Sequence, residues 1–179
     1  MSLSLYDASI PAYLRMLKNL SAMLDKGEAY AKDNGIALST LVQARLAPDM
    51  GDLARQVQFA SDSAKGGAAR LAGLEPPAMP DTETTLPELK DRIARTVAFV
   101  ETVKREQVDG QEGREIVLKF PGRTMTFTGA DFLLGFSMPN FLFHVTTAYD
   151  VLRSQGVPLQ KMDYLMGANV KVTMDAPAA

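Results

Sequence analysis

Residues 128–158 read TGADFLLGFSMPNFLFHVTTAYDVLRSQGVP, and this stretch decides the fold. Thr128 supplies a side-chain oxygen to cap a helix, and Gly156 followed by Pro158 supplies its stop. Between them Phe132, Leu133, Phe136, Phe143 and Val151 form an apolar stripe at helical spacing, with Pro139 predicting a kink. The most apolar part, Phe132 to Val145, is shorter than the ~18 residues of a membrane span. Pro139, Asn140 and His144 also interrupt it, so it reads as the core helix of a soluble protein.

Such a helix needs partners with matching apolar faces, and the chain supplies three. From about Ser9 to Asn34, Tyr13, Leu17, Leu20 and Leu24 fall on one face, with Pro11 expected in the first turn and Gly35 at the end. From about Pro48 to Leu71 a second stripe runs through Leu53, Val57, Ala60, Ala64 and Leu71. Inside it Gly66 and Gly67 each cost about 1 kcal/mol relative to alanine, so either the helix loosens there or another backbone comes close. Thr85-Leu86-Pro87-Glu88 is a capping box that opens a third helix carrying Leu89, Ile93, Val97, Val100 and Val103.

Between about Arg114 and Thr128 the period changes to two, through Ile116, Leu118, Phe120, Met125 and Phe127 around Pro121-Gly122. That is a β-hairpin, and because Pro-Gly favours an unprimed turn its loop is expected to exceed two residues. The fold class is therefore all-α: a four-helix bundle with a short β-hairpin inserted before the last long helix. Residues 1–166 are read as one domain and residues 167–179 as a loosely held tail.

Composition narrows the function. With 19 basic and 21 acidic residues there is no electrostatic footprint for nucleic acid or an anionic membrane. Cysteine is absent, which removes disulfides and thiolate ligands and fits a reducing compartment, and the N-terminal stretch lacks a signal-peptide pattern. A cytoplasmic location is expected. There is one histidine, His144, too few for a metal site built on imidazoles.

That histidine belongs to a polar line where the pattern calls for apolar residues. Asn140, His144 and Thr147 share one helical face that should point inward, and Gln56, with Asp52 one turn before it, should face them from the second helix. An unpartnered buried amide or imidazole costs about 1–3 kcal/mol, so these groups must bond each other or line a wet pocket. Both a satisfied structural network and a small-molecule pocket satisfy that requirement. Ser137 and Asp150 stand at the wrong spacings for a triad with His144, and no GxSxG motif is present. Lys65-Gly66-Gly67 lacks the order of a phosphate loop; Tyr6 and Asp7 could reach a pocket mouth or simply anchor the N-terminus.

Asn140-Phe-Leu-Phe-His144 followed by Leu152-Arg-Ser-Gln-Gly156-Val-Pro158 resembles the H-x-x-x-H segment and closing LR-x-x-G-V-P of the DinB/YfiT-like metalloenzyme superfamily. Pro48-Asp-Met-Gly-Asp-Leu-Ala-Arg-Gln56 is similar to its helix-two segment that supplies a third histidine. Openings like LSLYDASIPAYL and a segment like ARLAPDM resemble an uncharacterised bacterial branch, a family of unknown function. The resemblance implies a DinB-like bundle, often a homodimer, whose three metal-binding histidines fall on Gln56, Asn140 and His144, with only His144 keeping the ligand.

The expectation is thus a DinB-like module without a cofactor, either binding a small molecule or structural, with Gln56, Asn140, His144, Asp52 and Thr147 around the former metal site. The competing expectation is a hydrolase or transferase using His144 as general base, with or without a weakly held divalent metal.

Overall fold

A computed structural model describes residues 3–165 and Thr173. Four long helices form the bundle: α1 (Leu5–Asp33), α3 (Leu53–Ala72), α4 (Leu86–Thr102) and α7 (Met138–Ser154). Short helices α2 (Leu38–Val42), α5 (Arg105–Val108) and α6 (Gly129–Phe132) lie in the connections, α8 (Lys161–Leu165) follows the last long helix and packs against α1, and strands β1 (Ile116–Phe120) and β2 (Arg123–Phe127) make the hairpin before that helix. No described helix is long and apolar enough to cross a membrane. The expected tail, residues 167–179, lies outside the described residues apart from Thr173.

The apolar stripes become the core. Tyr13, Leu17, Leu20 and Leu24 of α1, Leu53, Val57, Ala60, Ala64 and Leu71 of α3, and Leu89, Ile93 and Val100 of α4 are all buried. The Thr85 capping box forms in full, with the threonine oxygen accepting the Glu88 N–H and the Glu88 carboxylate accepting the Thr85 N–H. Helix α1 begins earlier than its spacing indicated, because Ser4 caps it by accepting the Asp7 N–H. Pro11 is therefore inside the helix rather than in its first turn, on the exposed side, where water can satisfy the carbonyl left without a partner.

The hairpin is tighter than its Pro-Gly turn suggested. Pairing runs from Ile116 opposite Phe127 to Phe120 opposite Arg123, so Pro121 and Gly122 alone form the loop. Gly122 takes the positive φ of 76° that an unprimed type II turn requires at this position. The Arg123 guanidinium lies over the Phe120 ring, 5.1 Å from its centroid, and holds the last pair closed.

The last long helix is not one kinked rod. After α6, capped by Thr128, residues Leu133–Ser137 form a single π turn before α7 begins, and Pro139 falls in the first turn of α7, where its missing N–H is harmless. The wide turn lets the buried row run Leu133, Ser137, Phe141 and Val145 in steps of four. Phe143, two residues from both Phe141 and Val145, consequently points to solvent and is 57% exposed, against the expectation that it joins the core.

Polar residues also enter the core between α3 and α4, among them Ser61, Thr96 and Arg92, without any sign in the apolar pattern. Thr96 is hydrogen-bonded to Ser61 across the helix pair, and Arg92, fully buried, ties α4 to α3 and to the loop between them. Its guanidinium reaches Glu83 at 3.0 Å, Asp62 at 2.7 Å and Asp81 at 3.0 Å, and donates to the Pro80 carbonyl.

Candidate functional site

Helices α3 and α7 pack along each other, and at one end their faces part around a cavity of about 250 Å³. From α3 the residues Phe59, Ser63, Gly66, Gly67 and Arg70 line it, at the three- and four-residue steps of a single helical face. From the opposite side come Phe136 and Ser137 at the π turn and Asn140 and His144 on α7. Leu118 and Phe120 of β1 and Phe132 of α6 close the wall. The hairpin therefore has a role in the site: it sets an apolar lip over a cleft whose floor is polar.

Gln56 and His144 meet across the helix pair, as expected. The Gln56 amide donates through Nε2 to the Gly51 carbonyl at 3.0 Å, which turns Oε1 toward the imidazole, 2.9 Å from His144 Nδ1. An amide oxygen only accepts, so this geometry assigns the proton to Nδ1 and leaves the lone pair of the neutral ring on Nε2. Phe59 and Phe143 flank the ring, with centroids 5.0 Å and 5.3 Å away.

Asn140 turns elsewhere. Its Nδ2 donates to Ser63 Oγ at 2.6 Å, and that hydroxyl donates in turn to the Phe59 carbonyl at 2.7 Å. Asn140 and His144 are half-buried rather than fully inward, flanking the buried row instead of belonging to it. Thr147 is buried but spends its hydroxyl on the Phe143 carbonyl of its own helix and does not line the cavity.

Asp52 is not part of this group. It is the N-cap of α3, accepting the Arg55 N–H, and it pairs with Arg45 at 3.1 Å. The residue four before Gln56 is also the residue that begins the helix, and capping turns its carboxylate back along the backbone. Tyr6 and Asp7 go to α5, where the Tyr6 N–H donates to Asp109 and Asp7 pairs with Arg105. Ser137 is bonded to Tyr13 Oη at 2.7 Å, not to His144, and Lys65 pairs with Asp62.

The sequence reading missed Ser63 and Arg70. Continuing the period of α3 from Gln56 through Phe59 would have reached both. Neither expectation for the two glycines holds: α3 runs unbroken through them, and what comes close is side chains rather than another backbone. A Cβ on Gly67 would press on Tyr13 Oη, 2.5 Å away, and on Ser137 Oγ, while one on Gly66 would meet only the Arg70 guanidinium.

Burial holds the His144 pKa below its ordinary value of 6.5, because the half-enclosed ring loses solvation on charging. The unfolded chain takes up a proton first as the pH falls. This contribution to stability is thus complete above pH 6.5 and is lost as the pH drops toward the folded pKa. Since the chain has one histidine, a single imidazole resonance reports the site, and its NMR titration midpoint is expected below 6.5. A midpoint at or above that value would contradict the desolvated setting.

The three positions on which the resemblance would place metal ligands, Gln56, Asn140 and His144, hold one imidazole and two neutral amides. The Gln56 oxygen already receives the imidazole N–H, and the Asn140 amide is directed at Ser63. A catalytic zinc takes three protein ligands from histidine, carboxylate or thiolate. Among the described residues no group of three or more such side chains could hold a metal ion. The donor set does not fit a tightly held transition metal.

Comparison with known proteins agrees with this architecture. The model of the family called domain of unknown function (DUF1993) matches residues 5–165. The crystal structure of a DinB family member protein from Shewanella denitrificans is 38% identical, covering 97% of this chain and 96% of that one, with a TM-score of 0.82. No curated protein matches the chain.

Proposed function

Because the chain belongs to the DUF1993 family, a domain of unknown function with a DinB-like fold, we propose that it is a small-molecule-binding bundle with a non-metal pocket at the former metal site. The observation that carries this reading is the hydrogen bond from His144 to Gln56. It engages the remaining imidazole with an amide and leaves a polar floor under an open, aromatic-walled cleft. A satisfied network alone would not need a cleft of about 250 Å³ beside it. We place the protein in the bacterial cytoplasm as a homodimer, a reading supported by the resemblance and by the absence of cysteine. Light scattering that returns the monomer mass would remove the dimer from it.

Metal analysis tests the central claim. Protein purified without a histidine tag is expected to carry far less than one transition metal per chain, and added Zn²⁺ is expected to leave the His144 resonance sharp and unshifted. About one tightly held metal per chain would overturn the reading.

A second reading, a hydrolase or transferase with His144 as general base, is favoured by one observation: a neutral ring with its lone pair on Nε2 borders the cleft. A weakly held metal is compatible with it. Turnover of an activated ester that falls on the order of 100-fold in His144→Gln would select it over simple binding.

A further inference from the structure

Arg70 is the uncommitted charge of the cleft. Its Nη1 donates to the Gly66 carbonyl at 3.0 Å, a fold-back that the missing side chain of Gly66 admits, and it makes no ion pair among the described residues. A guanidinium carries five N–H donors in a planar fork, so most of them remain available. The one carboxylate lining the cleft, Asp62, already has a counter-charge in Lys65 at 2.9 Å and shares Arg92, at 2.7 Å, with Glu83 and Asp81. With His144 neutral and Asp62 paired, Arg70 is the one charge lining the cleft that has no counter-charge among the described residues, and it stands beside aromatic walls.

We propose that the cleft takes a small organic carboxylate, its carboxylate on Arg70 and its apolar, ring-sized body among Phe59, Phe120, Phe132 and Phe136. The proposal rests on the reading of the cleft as a ligand pocket and adds the class of ligand. A planar fork matches a planar carboxylate through two parallel hydrogen bonds. The volume of about 250 Å³ lies just below the roughly 300–1,000 Å³ of drug-sized ligand pockets, and suits a single ring with a short acid arm. Asn140, whose Nδ2 is committed to Ser63, keeps its carbonyl oxygen to accept from a hydroxyl or amine on such a ligand. Four phenylalanines around one guanidinium favour an acid with an apolar body over inorganic phosphate, which would leave those rings uncovered.

Titration of the full chain with phenylacetate, phenylacetamide and inorganic phosphate, followed by calorimetry and by the single imidazole resonance, tests this. Phenylacetate is expected to shift the His144 signal and to bind at least tenfold more tightly than phenylacetamide or phosphate. Arg70→Gln, checked for a wild-type circular dichroism spectrum, is expected to abolish the preference for the acid and leave phenylacetamide binding unchanged. Equal affinity for acid and amide, a preference that survives Arg70→Gln, or tighter binding of phosphate would overturn the carboxylate proposal while leaving a pocket. If none of the probes binds or shifts His144, both the carboxylate proposal and the pocket reading fall. Gly66→Ala gives a second handle: its Cβ would displace the Arg70 guanidinium, so the acid should weaken severalfold in a protein that folds at least as well.

Discussion

Arg92→Ala is expected to destabilise the bundle by about 3–5 kcal/mol, the range for removing one partner of a buried charge cluster. Arg92 is fully buried and gathers Glu83, Asp62 and Asp81, so its loss leaves the buried Glu83 carboxylate without its main counter-charge. It also cuts the tie between α4 and the loop that returns from α3, where the Pro80 carbonyl accepts from the same guanidinium. Urea unfolding at pH 7 measures the loss; a change below about 1 kcal/mol, the range of an exposed pair, would show that the cluster is solvent-screened after all.

The same cluster sets an acid limit. Burial pushes the Glu83 pKa up, but its own backbone N–H, the Gln58 amide and Arg92 outweigh that and hold it below the ordinary value of 4.5. Its stabilising contribution is present above pH 4.5 and is lost as the pH falls through the folded pKa. In Arg92→Ala that acid-dependent part should shrink, because the charged form has lost a favoured partner. Replacing the pair with an apolar residue and an amide, as in Arg92→Met with Glu83→Gln, should recover part of the loss, since neither side chain then leaves a buried charge.

Gly67→Ala is expected to cost about 1–3 kcal/mol, the usual price of overpacking a dense core. On helix propensity alone the change would favour folding by about 1 kcal/mol, so the sign decides between local and tertiary control. The new Cβ would press on Tyr13 Oη, 2.5 Å away, and on Ser137 Oγ, two buried groups hydrogen-bonded to each other and unable to withdraw without breaking that bond. Gly66→Ala, one residue earlier, meets only the movable end of Arg70 and should be neutral or stabilising. Thermal unfolding of both variants separates the cases. In a Ser137→Ala background the Gly67→Ala penalty should fall by about 0.5 kcal/mol or more, the coupling expected of residues in contact. Equal effects at the two glycines would refute the close-approach explanation.

Most of the bundle was legible because burial follows period. Tyr13, Leu17, Leu20 and Leu24, or Leu53, Val57 and Ala60, can lie on one face only if the backbone is helical, and that face must then be covered. The capping box at Thr85 is equally local, since both of its hydrogen bonds lie within four residues. That Gln56 and His144 face each other was legible for the same reason, as each sits a known angle away from an apolar stripe; that they bond each other was one of two outcomes the pattern left open. What periodicity could not give was the phase of α7. The π turn at Leu133–Ser137 resets it, so Phe143 faces water although its spacing from Phe136 is that of a core pair.

The sequence by itself determined that four amphipathic helices and a hairpin make up this chain and that its single imidazole stands across from an amide of the second helix. It did so because side-chain direction along one helix is fixed by the backbone alone. The tertiary structure decided the rest: that Asp52 caps α3 and leaves the site, that Arg70 and Ser63 enter it, and that Arg92 is buried among carboxylates. Those outcomes depend on which groups from distant segments arrive at the same place. A charged residue is buried only when its partners come from another element, and no local pattern records that meeting.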